Sequence, residues 1–506
     1  MSNYLHLGQT AINSRNTAEA VHWFEKAVQE SPNNAQALAC LGQALCWDDK
    51  PNQGLKLLHK AGRQLIKKAR KSKDTQPLLA MAEQLQFWND YPNSLELVKQ
   101  AVQINKKDIR GFQILAHTYS RLNKNKLALL ASQQALKKAP DSAILNIQQA
   151  TLEAKEGQHD LAINRLKSVL NKPATHEELF RTHKELAIIL DKKGHYSEVF
   201  QHLNTASELS NLLPEVKKQD ASEIPNMLNC YLTEFNRELF NHCANPQTKD
   251  IKNPVFIIGF LRSGTTLTQE ILDTHPDTFI SDETDLVYAM REELNKLSEY
   301  KGTLPSQLKK ATPQTLEHLR QFYWDRAVKK HGEKIKNSLF IDKTTMNTFD
   351  IGLINCIFPQ AKVIFVMRDP RDVCLSCFMQ VMTPTSTTIH LLNWEKLINL
   401  YTHTLEWWIT IKKQLTLDYH EFRYEDAISN FEPTFREVFN FLGLEWTTAA
   451  NDFHLRAAKK FISSPSFNQV SQPLYSSSVA RWKHYEKEFT DVNSKLQPII
   501  QAFHYQ

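Results

Sequence analysis

The chain has 506 residues, 61 of them lysine or arginine and 55 aspartate or glutamate, for a formal charge of +6; it exceeds the ~250–300 residues that one hydrophobic core serves, so two or more domains are expected. With 42% hydrophobic and 23% charged residues and a mean hydropathy of -0.45, a largely disordered, collagenous or membrane-embedded chain is excluded. So small a net charge suits a localised anion better than a coat of nucleic acid, and the 13 glycines are few enough that each marks a geometrical need.

The opening MSNYLHLGQT has no basic stretch leading into an apolar one, and no run approaches the ~18 apolar residues of a membrane span. Seven cysteines in an odd, scattered set point to a reducing, cytoplasmic location. Small residues then recur every 34 positions: Gly8 and Gly42, Ala20 and Gly54, Ala27 and Ala61. After the basic segment Lys67 to Lys73, read as a solvated insertion, the spacing resumes with Ala82, Ala116 and Ala150, with Ala101, Ala135 and Val169, and with Ser94, Ala128 and Ala162. A last copy follows three extra residues, at Gly194, Val199 and Ala206. About six copies of this length, with an aromatic such as Phe24 and a closing proline such as Pro32 or Pro140, resemble the tetratricopeptide repeat. The resemblance implies stacked helix pairs whose concave surface takes a protein or peptide ligand, or a solenoid that supports its neighbour or self-associates.

The period is lost from Pro214, and a polar, proline-containing stretch runs to Lys252. The expected organisation is therefore a solenoid over 1–213, a helical and polar connector over 214–252 and a second domain over 253–506. From Pro254 the pattern changes to short apolar runs, PVFIIGF and AKVIFVM, each followed by a loop and an amphipathic segment, which predicts α/β organisation on a parallel sheet. The first run reads as a buried strand, a tight loop from Gly259 to Gly264 and a helix opening near Thr265 or Thr266. Such a loop presents backbone N–H groups and a helix N-terminus to an anion. Its G-x-x-x-x-G spacing is P-loop-like, but Thr265 and Thr266 stand where a nucleoside triphosphatase carries Lys and Ser/Thr, which disfavours ATP. Arg262 and Ser263 offer a guanidinium fork and a hydroxyl instead. The second run ends at Arg368 and opens a helix that would carry Ser376 and Gln380 on one face, so that Arg368 and Ser376 clamp another phosphate.

FIIGFLRSGTT and RDPRDVCLSCFMQ, in that order, resemble the 5′-phosphosulfate loop and the 3′-phosphate site of sulfotransferases that use 3′-phosphoadenosine 5′-phosphosulfate. The likeness continues to residue 506 through RYED and SFNQVSQPLYSSSVARW. With repeats in front, the chain is similar to bacterial tetratricopeptide-repeat sulfotransferases, which in turn look like protein-tyrosine sulfotransferases. The fold so implied is an α-solenoid followed by a P-loop-like, three-layer α/β sulfotransferase domain. Arg262, Ser263, Gly264, Thr265 and Thr266 would hold the 5′ end of the donor, Arg368 and Ser376 its 3′-phosphate, and Tyr424 would lie against the nucleotide, with Arg481 and Lys483 adding charge. Gln380 stands where tyrosine sulfotransferases often have a second arginine. Lys343 in FIDKTTMN matches the lysine at the leaving phosphate, Ser466 the serine beside it, and Glu283 the glutamate that deprotonates the acceptor; together with Arg262 they form the expected catalytic set.

Sulfuryl transfer of this kind requires no metal. Asp285 and His275 are rival bases, although His275 before Pro276 reads as a helix stop. Cys374 and Cys377 lack the companions of a zinc site and read as packing residues, as do Trp394, Tyr401, Trp407 and Trp408 at helical spacing. No nucleic-acid partner is expected, because the basic segment lacks interleaved aromatics. A tyrosine in a protein or peptide is the first acceptor to consider, with a sugar, lipid or small phenol open. The competing readings are a P-loop kinase and a catalytically silent scaffold with a nucleotide-binding domain.

Overall fold

The computed structural model describes residues 3–14, 16–244, 251–458, 470, 472–474 and 477–506. The chain divides into two compact units, Met1–Ile189 and Leu190–Gln506.

The first unit is a succession of helix pairs: α1 (Asn3–Asn13) with α2 (Thr17–Glu30), α3 (Ala35–Trp47) with α4 (Pro51–Ser72), α5 (Gln76–Phe87) with α6 (Tyr91–Ile104), α7 (Ile109–Arg121) with α8 (Asn125–Leu136), and α9 (Ala143–Lys155) with α10 (His159–Leu170). The next helix, α11 (His176–Lys192), runs past the unit boundary. Polar residues before the helices set their starts. Asn16, Asn34, Asp90 and Asp108 each accept a hydrogen bond from the first turn, satisfying donors that have no intrahelical carbonyl. The small residues of the 34-residue period sit where paired helices cross. A Cβ on Gly42 would lie 2.8 Å from the carbonyl oxygen of Gly54, so α3 and α4 meet backbone to backbone. The basic segment lengthens α4 to 22 residues, with Lys67, Lys68, Arg70 and Lys71 exposed.

The change of unit comes earlier than the loss of period at Pro214. The helix α12 (Tyr196–Ser210) keeps the small residues of a repeat, yet its Phe200 sits 5.8 Å from Phe378, 5.2 Å from Trp394 and 5.6 Å from Tyr485, ring centre to ring centre, and so packs into the second unit. The span read as a connector contains the helices Pro214–Lys217, Glu223–Glu234 and Arg237–Cys243.

The second unit is built on a five-stranded parallel sheet among the described residues: β1 (Val255–Gly259), β2 (Thr278–Asp282), β3 (Leu339–Lys343), β4 (Lys362–Met367) and β5 (Asp418–Arg423), in the order β2-β3-β1-β4-β5. β1 is buried along its whole length, as an apolar strand covered on both faces must be. One face sets Val255, Ile257, Ile364 and Val366 against Leu267, Ile271, Phe435 and Phe439. On the other, Phe256 meets Tyr323 and Phe358, and Phe365 stacks on Trp408 at 4.1 Å. The result is three layers. Strand order reverses at β1, which pairs with β3 on one side and β4 on the other, and this switch point opens a crevice beyond the strands' C-terminal ends.

Candidate functional site

The sheet brings together residues that the sequence keeps far apart, because each strand ends beside the crevice. β1 delivers the loop to Gly264, β2 Glu283, β3 Lys343, β4 Arg368 and β5 Tyr424. In the loop after β1, Ser263 spends its amide on the carbonyl of Phe260 at 3.1 Å, which tightens the turn, and the helix Thr265–Leu272 begins at once. Arg262 has φ +70° and Gly264 φ +108°. A Cβ on Gly264 would lie 2.7 Å from Cδ2 of Tyr424, so glycine is required there by conformation and by space.

Arg262, Gly264, Thr266, Arg368 and Tyr424 line one pocket, closed by apolar side chains such as Ile428 and Phe453. The Arg262 Nε donates to Oγ of Ser376 at 3.0 Å. Arg368 donates through one terminal nitrogen to the carbonyl of Arg262 at 3.1 Å and through the other to the carbonyl of Ser478, and lies 5.0 Å from the Tyr424 ring centre. Its Nε is buried without a hydrogen-bond partner among the described residues. Tyr424 and Ser478 share a hydrogen bond of 2.8 Å between their hydroxyls. The segment carrying Ser478 is pinned by Asp372, whose carboxylate accepts from the amides of Ala480 at 2.8 Å and Trp482 at 2.9 Å.

A second cluster joins the loop. Lys343, with no exposed surface, places Nζ 2.9 Å from Oε1 of Glu283 and 2.6 Å from Oδ1 of Asp282. Burial works to lower the pKa of this lysine, but the two carboxylates hold it above its usual value. The hydroxyl of Thr345 donates to Oε1 of Glu283 at 3.0 Å and meets that of Thr265 at 2.9 Å. Glu283 has φ +47°, and its amide donates to the carbonyl of Lys343 at 2.8 Å. Beneath them Asp342 is fully enclosed, accepting from Tyr323 at 2.9 Å and Thr344 at 3.0 Å, and burial raises its pKa to about 6.

Other sequence-predicted residues stand elsewhere. Arg481 does not line the pocket, because its guanidinium is held by the carboxylate of Asp191, which also accepts from the Tyr485 hydroxyl at 2.6 Å. The helix Pro370–Met379 stops before Gln380, whose backbone is extended at φ -77°, ψ 153°, so Ser376 and Gln380 do not share a helical face. Asp285 is held by Arg326 at 3.0 Å and Lys330 at 2.7 Å. His275 closes its turn by accepting from the Asp277 amide. Cys374 and Cys377 are buried free thiols, and Trp407 and Trp408 are fully buried. Ser466 lies outside the described residues. Thr345, Asp282 and Ser478 were not foreseen. Asp282 adjoins Glu283, Thr345 stands two residues past Lys343, and Ser478 falls within the C-terminal segment of the likeness without being singled out there.

Residues 254–448 match the model of the sulfotransferase family, and residues 2–34 that of the tetratricopeptide repeat. The second unit therefore carries a sulfotransferase-family domain, with tetratricopeptide-like helix pairs before it. An uncharacterized protein of Aquifex aeolicus is 27% identical over 79% of this chain and 52% of its own length. Protein-tyrosine sulfotransferase 2 of Gallus gallus is 26% identical over 48% of this chain and 66% of its own. The protein-tyrosine sulfotransferase of Drosophila melanogaster is 25% identical over 55% and 53%. The chain thus spans between half and two thirds of the length of these relatives.

Proposed function

We propose that the protein transfers a sulfuryl group from 3′-phosphoadenosine 5′-phosphosulfate to an acceptor hydroxyl. The observation that carries this reading is the joining, beyond the C-terminal ends of the strands, of a two-arginine pocket and the Lys343–Glu283–Thr345–Thr265 cluster. The pocket suits the donor: an aromatic ring at Tyr424, a glycine cradle at Gly264 and a buried guanidinium nitrogen of Arg368 with hydrogen-bonding capacity left over. Arg262, the loop from Ser263 to Thr266, Arg368, Ser376 and Tyr424 would hold it. Arg481, engaged by Asp191, has no part in this proposal.

When bound, the donor supplies the sulfur centre, which the acceptor oxygen attacks as the bond to the phosphate oxygen breaks. Glu283 accepts the hydroxyl proton on its carboxylate. Lys343 stays protonated and offers its charge to the departing oxygen. These two roles are coupled: proton uptake by Glu283 removes one of the two negative charges that hold Lys343 and releases its ammonium toward the leaving side. Ser466 is proposed beside it on the family resemblance alone. Likeness to proteins named protein-tyrosine sulfotransferases favours a tyrosine in a protein or peptide, bound with help of the repeats. No helix among the described residues is long and apolar enough to cross a membrane. The seven free cysteines suit a reducing compartment such as the cytoplasm.

Calorimetric titration with 3′-phosphoadenosine 5′-phosphate, ADP and Mg-ATP tests the reading. Selective binding of the 3′-phosphorylated nucleotide, weakened at least tenfold in Arg368→Ala, is the expected result. Preference for Mg-ATP would favour a kinase, and no binding at all a scaffold.

A further inference from the structure

Within the first unit, the first helices of successive pairs line a groove of about 560 Å³. Its charged side chains are Arg110 and Arg121 from α7, Lys155 from α9 and Arg181 from α11, against Glu83 from α5 and Glu185 from α11. Glu83 is already engaged by Arg110. Arg121, Lys155 and Arg181 then stand against Glu185 in the lining, an excess of positive charge, and Arg121 and Lys155 are 34 residues apart, at one register position of consecutive repeats. His117 lies among them, reached by water yet walled by protein. Its burial, with the charges of Arg121, Lys155 and Arg181, holds its pKa down to about 4.

From this geometry we infer that the groove binds an extended acidic peptide segment, with carboxylates spaced about three residues apart. The spacing follows from the fold. α5 and α7, the first helices of neighbouring pairs, touch each other, and α9 carries Lys155 one 34-residue step beyond Arg121 of α7; helices stacked in contact lie about 8–10 Å apart, which is about three residues of extended chain. The groove also holds hydrogen-bonding amides. Gln148 donates to the carbonyl of Gln113 at 3.0 Å, while its own carbonyl oxygen is buried without a partner among the described residues and suits a peptide N–H. Single-stranded nucleic acid is disfavoured, because His117 is the sole aromatic ring in the lining and stacking platforms are what such ligands need. The inference extends the peptide-binding part of the proposed function and stands apart from sulfuryl transfer.

The test measures, on the full chain, fluorescence anisotropy of three labelled twelve-residue peptides, with glutamate, glutamine or lysine at every third position, and of an oligouridine of equal length. The glutamate peptide is expected to bind at least tenfold tighter than the other two peptides and to weaken with salt. The double variant Arg121→Glu, Lys155→Glu should lose at least tenfold of that affinity. In the same sample, binding of 3′-phosphoadenosine 5′-phosphate and the circular dichroism melt should be unchanged, which separates loss of the groove from loss of folding or of the donor site. Equal binding of the glutamine peptide, tighter binding of the RNA, no binding of the glutamate peptide at millimolar concentration, or an unaffected double variant would each overturn the inference.

Discussion

Arg262 and Glu283 are two of the eight non-glycine residues with positive φ among those described, and both stand where strands run out into the crevice. Backbone strain of ~1–3 kcal/mol per residue persists only when surrounding contacts over-determine it; for Glu283 those contacts are Lys343 and Thr345. Glu283→Gln keeps the shape and removes the proposed proton acceptor. Transfer should fall by ~10²–10⁴-fold while nucleotide binding holds, as a labelled-donor assay beside calorimetry will read; undiminished transfer would remove Glu283 as the base. Asp342 supports a second prediction. Its carboxyl is held near pKa 6 in the folded protein, against ~3.9 unfolded, so the native state binds the proton more tightly. Stability from this group is present at low pH and is lost as pH rises from ~4 through ~6, by at most ~3 kcal/mol. Asp342→Asn escapes that loss. Thermal melts from pH 4 to 7 should show the variant gaining on the wild type as pH rises.

At the scale of elements, the loop after β1 and the C-terminal segment form the pocket from opposite directions. Gly264→Ala must adopt φ +108° and push against Tyr424. It should cut affinity for 3′-phosphoadenosine 5′-phosphate by tenfold or more, with a stability cost of about 1–3 kcal/mol, measured by calorimetry and thermal melting. Asp372 ties down Ala480 and Trp482 through their amides. Asp372→Ala should raise hydrogen exchange at those two amides while leaving β1 and β4 protected. Legibility in the sequence tracked the physics of each element. β1 and β4 are buried apolar runs and read directly. β2 and β5 are half-exposed edge strands with no apolar run to announce them, and only the family resemblance pointed there. The shared face proposed for Ser376 and Gln380 failed because the helix ends at Met379, a one-residue boundary that propensity does not resolve.

At the scale of the whole molecule, the parallel sheet gathers positions 262, 283, 343, 368 and 424 beyond the C-terminal ends of its strands. A bound donor should therefore protect amides around 260–266, 368–376, 424 and 478 together, and a nucleotide at 100 times its Kd should stabilise the second unit by about 2.7 kcal/mol. Hydrogen exchange and thermal melts with and without 3′-phosphoadenosine 5′-phosphate check both. The amino-acid sequence by itself determined the repeating helices, the glycine-bounded loop after β1 and the identity of the candidate residues, because periodicity, glycine spacing and short motifs are local. Tertiary structure alone decided that Thr345 links Glu283 to Thr265, that Ser478 closes on Arg368, that Arg481 is held by Asp191, and that α12 packs into the second unit. Each of those contacts joins residues 60 or more positions apart or depends on which core a helix reaches, and side chains meet across such distances only when strand order and packing have fixed their directions.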